Sequence, residues 1–317
     1  MEGTLAAMRV LLIVNAIASS VTRQKRAVIE TALRADHQTE VVETSERGHA
    51  AKLAADAAAN GVDVVAVLAG DGTLNEAANG LVGTSTALAP LPGGSTNVYA
   101  RTIGVARDAV DATAQLLESL NARSTRRVGV GMVGSRLFLF HLGIGFDAAV
   151  VERVERRHKL KRYVGHPLFA TAAIATWLRE YDHGTARFTV EVPGEEPIEG
   201  GIFAVVSKTT PYTYFGPRRI QISPESGLDS ALGLTVFRTR HAPTFLALVG
   251  SALGSGRLLR RNPSTVHREN LDSLVVSGIG PFPHQADGEY LGLSERLEVS
   301  YRPDALTLVV PVLDPTP

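Results

Sequence analysis

Cysteine is absent from this chain of 317 residues, which excludes disulfide bonds and thiolate metal ligands and is typical of a reducing cytoplasm. Charge of one sign is not in excess either, because 32 basic residues balance 32 acidic ones. Nothing in the composition therefore indicates a nucleic-acid partner. No apolar run reaches the roughly 18 residues that a membrane-spanning helix needs, and the N-terminus does not resemble a secretory signal. We expect a cytoplasmic protein that binds no nucleic acid.

Aromatic residues are scarce in the first 130 residues, and their distribution divides the chain. All ten phenylalanines and the single tryptophan lie after residue 130, and Tyr99 is the only aromatic residue before it. A polar and basic stretch at residues 121–127 separates the two parts. We predict two domains, at residues 1–127 and 128–317.

Apolar runs alternate with helical patterns in the first domain, which predicts a doubly wound α/β domain with a parallel sheet. Its strands are predicted at residues 9–14, 39–44, 62–69 and 86–91, and its helices at residues 22–35, 46–61, 73–81 and 108–120. The second domain has short runs of alternating apolar residues, which predict a mostly antiparallel β-sandwich. Its strands are predicted at residues 136–142, 186–192, 201–207, 232–237, 273–278, 296–301 and 305–310, and a helical region at residues 148–181.

Small or polar residues follow each of the four predicted strands of the first domain. Asn15 follows the first strand, Thr44 the second, Gly-Asp-Gly-Thr at residues 70–73 the third, and PGGSTN at residues 92–97 the fourth. Open parallel sheets bind ligands at this edge, and glycine turns that lead into helices present N–H groups to anions. Two such turns on successive strands predict a polyphosphate ligand.

Each of these residues also has a purely structural explanation. Thr73 and Glu76 form a capping-box pattern, which holds the start of a helix. Ser95 and Thr96 are also helix-capping residue types. Asn15 and Thr44 alone are as typical of turns, and only their shared edge favours a ligand.

Asp71 is unexpected at a phosphate turn, because a carboxylate repels phosphate unless a cation or a proton donor lies between them. Mg²⁺ bridges carboxylate and phosphate oxygens in phosphoryl transfer. Alternatively, Asp71 accepts the proton of an incoming hydroxyl. Either role indicates a phosphotransferase, and the absence of G-x-x-x-x-G-K-[ST] from the sequence excludes a P-loop enzyme.

Two other glycine patterns and three basic clusters have more than one interpretation. GVGMVG at residues 129–134 leads into a strand pattern and is predicted as a turn. GIGFDA at residues 143–148 has the strand-to-helix context of a dinucleotide site but lacks the acidic strand that should follow. The basic clusters lie at residues 153–162, 217–219 and 257–261; they are either solvated surfaces or sites for anionic lipid head groups.

With these motifs in place, the sequence resembles the diacylglycerol kinase catalytic family, which includes bacterial lipid kinases and sphingosine and ceramide kinases. AGDGTLNEAANGL is similar to the family signature G-G-D-G-T-x-N-E, and LPGGSTNVYARTIG to its second signature, P-x-G-[ST]-x-N-x-x-A-R. VETSERGHA, HLGIGFDAAVV and HQADGEYLG resemble three further family stretches. The resemblance covers nearly the whole chain, in order.

The resemblance implies a kinase that uses ATP and Mg²⁺ to phosphorylate the hydroxyl of a lipid alcohol, with diacylglycerol as the expected acceptor. It implies a first domain like that of NAD kinases and phosphofructokinases, and transient contact with the inner face of the membrane. Glu289 is the implied general base, and Asp71 is the second candidate catalytic residue. The candidate nucleotide-binding residues are Asn15, Ala16, Ser19, Thr44, Gly70, Asp71, Gly72, Thr73, Asn75, Glu76, Gly93, Gly94, Ser95 and Thr96.

The sequence departs from the family pattern in two places. The first strand is usually followed by N-P-x-[SA]-G, but here NAIAS follows it, which predicts a less rigid loop. The family also commonly has L-D-[DS]-G-x-x-D or a shortened form, whose acids hold a structural Mg²⁺. Asp229 is present as a candidate metal ligand, but Ala231 stands at the glycine and Gly233 stands where the shortened form has an acid. We therefore expect an incomplete metal site.

Two other functions remain open. A nicotinamide dinucleotide kinase shares G-G-D-G-T, although the D-G-E and PGGSTN motifs favour the lipid family. A nucleotide-binding regulator without catalysis is suggested by the altered metal region. The sequence does not name the lipid, and exposed sheet edges in the second domain would permit a homodimer.

Overall fold

The computed structural model describes residues 7–15, 21–155, 188–239, 241–252, 254 and 256–312. The chain forms two units, the first made of Met1–Val128 with Asp304–Pro317 and the second of Gly129–Pro303. The division after residue 128 lies next to the predicted one. The C-terminal end differs from the prediction, because residues 304–317 return to the first unit.

The first unit is built on a parallel sheet with the order β2-β1-β3-β4. Its strands are β1 (Arg9–Val14), β2 (Gln38–Glu43), β3 (Val64–Ala69) and β4 (Ala87–Pro92). The inner strands are buried runs of Val, Leu, Ile and Ala, as is usual for parallel strands that are covered on both faces. In the register of the sheet, Val14 lies opposite Glu43 and Leu68, and Leu68 lies opposite Leu91. The carboxyl ends of all four strands are therefore level.

Four of the five helices described in the first unit pack in two pairs. The five helices are α1 (Arg23–Asp36), α2 (His49–Ala59), α3 (Asp71–Leu81), α4 (Val98–Thr102) and α5 (Ala109–Asn121). Helices α1 and α5 share a buried apolar cluster with alternate residues of the strands. Helices α2 and α3 contact each other closely, and their buried faces are rich in alanine. The predicted α/β class is confirmed.

The second unit is an antiparallel sheet with the order β14-β13-β10-β7-β15-β16. Its strands are β5 (Thr125–Val133), β6 (Arg136–Phe138), β7 (His141–Gly145), β8 (Phe188–Glu191), β9 (Ile198–Gly201), β10 (Phe203–Ser207), β11 (Thr213–Phe215), β12 (Arg218–Ile220), β13 (Leu232–Phe237), β14 (Thr265–Leu271), β15 (Ser273–Ala286) and β16 (Glu289–Val309). Strand β5 pairs with β6 and β16, β8 with β9 and β15, and β11 with β12. The helices are α6 (Phe146–Glu155), α7 (Ala242–Ala252) and α8 (Arg257–Arg261). The predicted antiparallel class is confirmed.

Strand β16 explains why the C-terminal residues belong to the first unit. Thr307 and Leu308 pair in parallel with Ala87 and Leu88 of β4. These residues extend the parallel sheet by one short strand, which a run of alternating residues did not indicate.

Two predictions for the second unit were wrong, one of a strand and one of a turn. The predicted strand at residues 136–142 is interrupted between β6 and β7, because the N–H groups of Leu139 and Phe140 donate to the carboxylate of Asp287 instead of to a strand. GVGMVG is mostly strand β5 and not a turn. A Cβ at Gly129 would lie 2.2 Å from the Tyr301 ring, and one at Gly131 would lie 2.1 Å from the Phe138 ring. These glycines make room for aromatic rings.

The predicted helical region at residues 148–181 is described only in part. Helix α6 begins at Phe146, two residues before the predicted start, and residues 156–187 lie outside the described residues. Across the described parts of the chain, no helix is both long enough and apolar enough to cross a membrane.

The contact between α2 and α3 gives a test of the packing in the first unit. A Cβ at Gly80 would lie 2.2 Å from the carbonyl oxygen of Ala51. Since this oxygen belongs to the backbone, we expect Gly80→Ala to reduce the free energy of unfolding by about 1–3 kcal/mol, measured by urea denaturation. Gly72→Ala is the matched control in the same helix, because a Cβ there meets nothing within 4 Å. Equal stability of the two variants would contradict this packing.

Candidate active site

The polar residues that follow the strands of the first unit meet at one edge, as predicted. The Asn15 side-chain amide donates to Oγ1 of Thr73, with 3.1 Å between the two atoms. The Asn15 N–H donates to the Leu68 carbonyl, and the Thr44 N–H donates to the Val14 carbonyl. The ends of β1, β2 and β3 are thereby linked. Ala16 and Ser19 lie outside the described residues.

The two glycine turns of this edge touch each other. A Cβ at Gly94 would lie 2.7 Å from Cα of Gly70, and a Cβ at Gly93 would lie 2.8 Å from the backbone nitrogen of Ala69. The Gly93 N–H donates to the Ala69 carbonyl at 2.9 Å. Any side chain at these positions would push the turns apart, so glycine is required there for close approach.

Asp71 joins the two turns. Its Oδ2 accepts the N–H of Val98 at 2.9 Å, and its Oδ1 accepts the N–H of Tyr99 at 3.0 Å. Burial raises the pKa of the Asp71 carboxyl, and the two backbone hydrogen bonds and the charge of Arg101 oppose that rise. The carboxylate therefore fastens the start of α3 to the start of α4, and a helix start is where a carboxylate is favoured.

Asn97 holds the second turn in shape, and the sequence analysis did not select it. Its backbone is left-handed, with φ 49°. Its side-chain oxygen accepts the Gly94 N–H and its side-chain nitrogen donates to the Gly94 carbonyl, each at 2.8 Å. Asparagine tolerates the left-handed region and commonly bonds to nearby backbone. Its place at the end of PGGSTN was the available signal.

The capping explanations for this edge were wrong. Helix α3 begins at Asp71 with Gly70 as its N-cap, so Thr73 and Glu76 both lie inside the helix and form no capping box. Helix α4 has Asn97 as its N-cap, so neither Ser95 nor Thr96 occupies that position.

The remaining candidate residues differ in exposure. Gly72 and Ser95 are exposed, Glu76 and Thr96 are half-buried, and Asn75 is buried inside α3. The Asn75 side-chain oxygen accepts a hydrogen bond from the side chain of Asn79 at 3.0 Å. Asn75 is thus part of the helix packing.

The Asp-Gly-Glu stretch of the second unit is the tight turn between β15 and β16. Asp287 and Gly288 both have positive φ, 50° and 82°, as hairpin turns of type I′ require. The Asp287 carboxylate accepts the N–H groups of Leu139, Phe140 and His141 at 2.6, 3.0 and 3.0 Å. The turn is therefore anchored to the start of β7.

Glu289 is held next to this turn. Its carboxylate forms an ion pair with the guanidinium of Arg136, and both side chains are half-buried. Gln285 supports the turn from the other side, because its side-chain oxygen accepts the Gly288 N–H at 2.7 Å. The position of the Glu289 carboxylate is fixed by these contacts.

A buried polar group extends from the turn, and the sequence analysis missed it. The Gln285 amide donates to Oδ2 of Asp147 at 2.5 Å, and the Tyr212 hydroxyl donates to Oδ1 of the same residue. Burial raises the pKa of the Asp147 carboxyl. A Cβ at Gly143 would lie 1.7 Å from Oδ2 of Asp147. This contact explains the first glycine of GIGFDA.

The residues around Asp229 do not fit a divalent metal. Asp229 is exposed, and the described residues contain no group of three His, Cys, Asp or Glu side chains that could hold a metal ion. A Cβ at Gly233 would lie 2.5 Å from Oγ of Ser226 and 2.6 Å from Oε2 of Glu269. The space that a side chain at residue 233 would need is therefore already filled.

The fold places the chain in the class of proteins that join a parallel α/β domain to an antiparallel domain. Residues 9–133 match the family model of the diacylglycerol kinase catalytic domain. Over these residues the chain is similar to the diacylglycerol kinase catalytic domain that its motifs resemble.

Individual relatives are similar to parts of the chain. The chain is 27% identical over 249 residues to an uncharacterised protein of Synechocystis, covering 77% of this chain and 54% of that protein. It is 30% identical over 168 residues to a protein of Chromohalobacter salexigens named probable lipid kinase YegS-like, covering 51% of this chain and 52% of that protein. The matches thus span about half the length of these curated relatives.

The fold is also similar to a solved structure. A crystal structure of a diacylglycerol kinase from Bacillus anthracis superimposes with a TM-score of 0.75. The two chains are 22% identical, and the match covers 97% of this chain and 98% of that chain. At this identity the likeness shows the fold alone.

The carboxyl of Glu269, which lies next to Gly233, gives a test of how this region affects the pH dependence of stability. Burial, and then the charge of Glu225, raise its pKa from 4.5 to about 7. The folded state therefore binds a proton that the unfolded state has released, so this carboxyl makes stability fall as pH rises from about 4.5 through 7. Because Glu269 is partly exposed, we expect a loss of no more than about 1–2 kcal/mol.

The expected result is that Glu269→Gln removes this part of the pH dependence. Urea denaturation at pH 5.5 and pH 8 measures the difference in unfolding free energy between the variant and the original chain. Glu199→Gln is the control for the same replacement at an exposed position, in β9. A difference for Glu269→Gln that is the same at both pH values would contradict the raised pKa.

Proposed function

We propose that the protein is a lipid kinase that transfers the γ-phosphate of ATP to the hydroxyl of a lipid alcohol. Diacylglycerol is the expected acceptor, with phosphatidic acid as the product. The observation that supports this most directly is the pair of touching glycine turns, joined by Asp71, at the level ends of parallel strands. Turns of this kind offer backbone N–H groups to a polyphosphate, and the family match covers both of them.

The first unit supplies the nucleotide site in this proposal. The side chains of Asn15, Thr44 and Thr73 and the backbone of the two turns lie along one sheet edge, where open α/β sheets bind ligands. The Gly–Gly contact keeps the two turns close, so that a single polyphosphate chain contacts both.

The donors at this edge fit a magnesium ion that arrives with the nucleotide. Mg²⁺ is commonly held by one or two carboxylates together with substrate phosphates, and Asp71 supplies a carboxylate at the turn. Each oxygen of a carboxylate has two lone pairs, so the bonds to Val98 and Tyr99 leave acceptor capacity. When bound, the ion neutralises charge that develops on the phosphate oxygens.

Glu289 is the proposed general base. An alcohol becomes a good nucleophile as its proton is removed, so the lipid O–H proton passes to the Glu289 carboxylate. The alcohol oxygen then forms the bond to the γ-phosphorus, the bond from that phosphorus to the bridging oxygen breaks, and ADP leaves. Arg136 holds the carboxylate in place.

The first experiment is a transfer assay with labelled ATP and Mg²⁺ on diacylglycerol, monoacylglycerol, a sphingoid base and a prenol in mixed micelles. We expect one phosphorylated lipid, absent with Asp71→Ala. For Glu289→Gln we expect kcat to fall by about 10²–10⁴-fold with unchanged affinity for ATP, because the base does not hold the nucleotide.

The same assay separates the alternatives. Transfer to a nicotinamide dinucleotide and to no lipid would identify a dinucleotide kinase. Binding of ATP without transfer to any acceptor would identify a non-catalytic regulator. Full activity of Glu289→Gln would remove Glu289 from the mechanism but leave the kinase.

We also propose that the second unit contacts anionic membranes through a basic surface formed by the β11–β12 hairpin and α8. Gln221, which follows the hairpin, donates its N–H to the Ala252 carbonyl at the end of α7, and its own carbonyl lies 3.8 Å from the Cβ position of Gly256, the N-cap of α8. The two elements are therefore neighbours. Their exposed basic residues are Arg218, Arg219, Arg257, Arg260 and Arg261.

Charge and an exposed apolar side chain both favour a membrane as the partner of this surface. Leu258 is 46% exposed between the arginines of α8. Each Arg close to an anionic surface contributes about 1 kcal/mol to binding, and a leucine among them is suited to the apolar boundary of the lipid. The cluster at residues 153–162 adds nothing to this argument, because most of it lies outside the described residues.

Sedimentation with phosphatidylglycerol vesicles tests the membrane surface. We expect the double variant Arg218→Glu/Arg219→Glu to bind at least about tenfold more weakly than the original chain, because two attractive charges become repulsive. Arg107→Glu/Arg302→Glu is the control, since it makes the same change of charge at exposed positions elsewhere. Equal weakening by both double variants, or equal binding to phosphatidylcholine vesicles, would contradict a defined surface.

A further inference from the structure

Lys208 is buried in the second unit although lysine is among the most exposed residue types. It directly follows β10 and is 1% exposed. Its backbone N–H donates to the Phe140 carbonyl at 2.9 Å. A buried ammonium is costly unless other groups replace the water that it loses, so the surroundings of this side chain must supply partners.

Three backbone carbonyls converge on the Lys208 ammonium. Nζ lies 2.7 Å from the oxygen of Gly227, 3.2 Å from that of Leu228 and 3.0 Å from that of Ser230. An ammonium has three N–H donors, so each carbonyl receives one. A neutral amine has only two N–H groups and would leave one carbonyl without a donor. The geometry therefore indicates the charged form.

The ring of Tyr301 adds a further favourable contact. Nζ lies 5.5 Å from the centre of this ring, within the range of a cation–π interaction. The buried charge is thus in contact with oxygen dipoles and with an aromatic face.

The loop at residues 226–230 depends on a cation at this point. Its carbonyl oxygens turn inward toward one position, where their partial negative charges would repel one another without a positive charge between them. The loop also closes on itself, since the Gly227 N–H donates to Oγ of Ser230 at 2.7 Å. Convergent carbonyl oxygens are also the ligands that hard metal cations prefer. An ammonium and a metal ion would therefore compete for this position.

The acids that would favour a divalent metal are not grouped here. Asp229 is exposed, and Gly233 lies against the side chains of Ser226 and Glu269. The carbonyl ligands are present without a set of carboxylates to balance two positive charges. This arrangement fits a single positive charge.

We propose that the Lys208 ammonium is the resident cation of the loop at residues 226–230, and that this loop keeps its structure without a divalent metal. The side chain takes the place that the family resemblance assigns to a structural Mg²⁺. The proposal is independent of the kinase function, because it concerns a binding position within the second unit alone.

Hydrogen exchange measured by mass spectrometry on peptides covering residues 222–234 tests the proposal in the original chain. Exchange is compared in about 5 mM EDTA and in about 5 mM MgCl₂, both without nucleotide. A millimolar concentration of the metal would saturate even a weak site. We expect the exchange of these peptides to be the same in both solutions. Faster exchange in EDTA, confined to these peptides, would overturn the proposal, because it would show that a metal holds the loop.

Variants of Lys208 test the ammonium directly. Lys208→Met keeps the length of the side chain and removes its donors, so we expect exchange in residues 222–234 to accelerate at least about tenfold through loss of the charge-assisted bonds. Lys208→Arg keeps a cation and should restore part of the protection. Lys52→Ala, at an exposed lysine, is the control and should change nothing in these peptides. Unchanged exchange in Lys208→Met would overturn the proposal.

A smaller side chain should open the position to an added ion. In Lys208→Ala we expect methylammonium chloride, a monovalent cation with three N–H donors, to slow the exchange of residues 222–234 relative to sodium chloride, an effect absent from the original chain. The same effect of methylammonium in both proteins would show that the Lys208 ammonium does not occupy this position. If the variants of Lys208 do not fold, the comparison of EDTA with MgCl₂ in the original chain still decides the question.

Discussion

The hydrogen bonds from Val98 and Tyr99 to the Asp71 carboxylate are the contact on which the candidate site depends. The parallel sheet only makes the ends of its strands level. It does not fix the turns that follow, because each turn leads into its own helix. Asp71 links the first turns of α3 and α4, and this link holds the contact between Gly70 and Gly94. The aspartate that seemed out of place near a phosphate therefore has a structural reason to be there, whatever further part it has in the chemistry.

The carboxylate of Asp287 fixes the position of Glu289, the second candidate catalytic residue, in a similar way. Asp287 accepts three successive backbone N–H groups at the point where β6 and β7 are separated. It thereby pins the tight turn that precedes Glu289. In both units an aspartate beside a glycine accepts hydrogen bonds from several backbone N–H groups and thereby fixes the turn next to it. A short acidic side chain is suited to this because ionised oxygens accept several strong hydrogen bonds from a helix start or an open strand end.

Much of the fold was predictable because its signals are local. The strands of the first unit are continuous apolar runs, and the positions of the glycine turns follow from the sequence. The errors arise where a distant residue decides the local structure. Gly129 and Gly131 seem to be turn residues until the rings of Tyr301 and Phe138 are found above them. The strand break after Phe138 depends on Asp287, and the C-terminal strand joins the first sheet through pairing with β4. No pattern within a short window contains such contacts.

The contacts of Lys208 also could not be predicted from a local sequence pattern. The departures at Ala231 and Gly233 were visible in the sequence, but they indicate only what a metal would lack. The group that contacts the carbonyls lies about twenty residues earlier in the chain, directly after β10. A single lysine after an apolar run has no distinctive pattern. Its three donors match three carbonyls in number and distance. The loop that lacks a set of carboxylate ligands therefore still has a positive charge at its centre. A fixed ammonium cannot dissociate as a metal ion can. In this proposal, the loop that it holds does not depend on the magnesium that the proposed phosphoryl transfer uses.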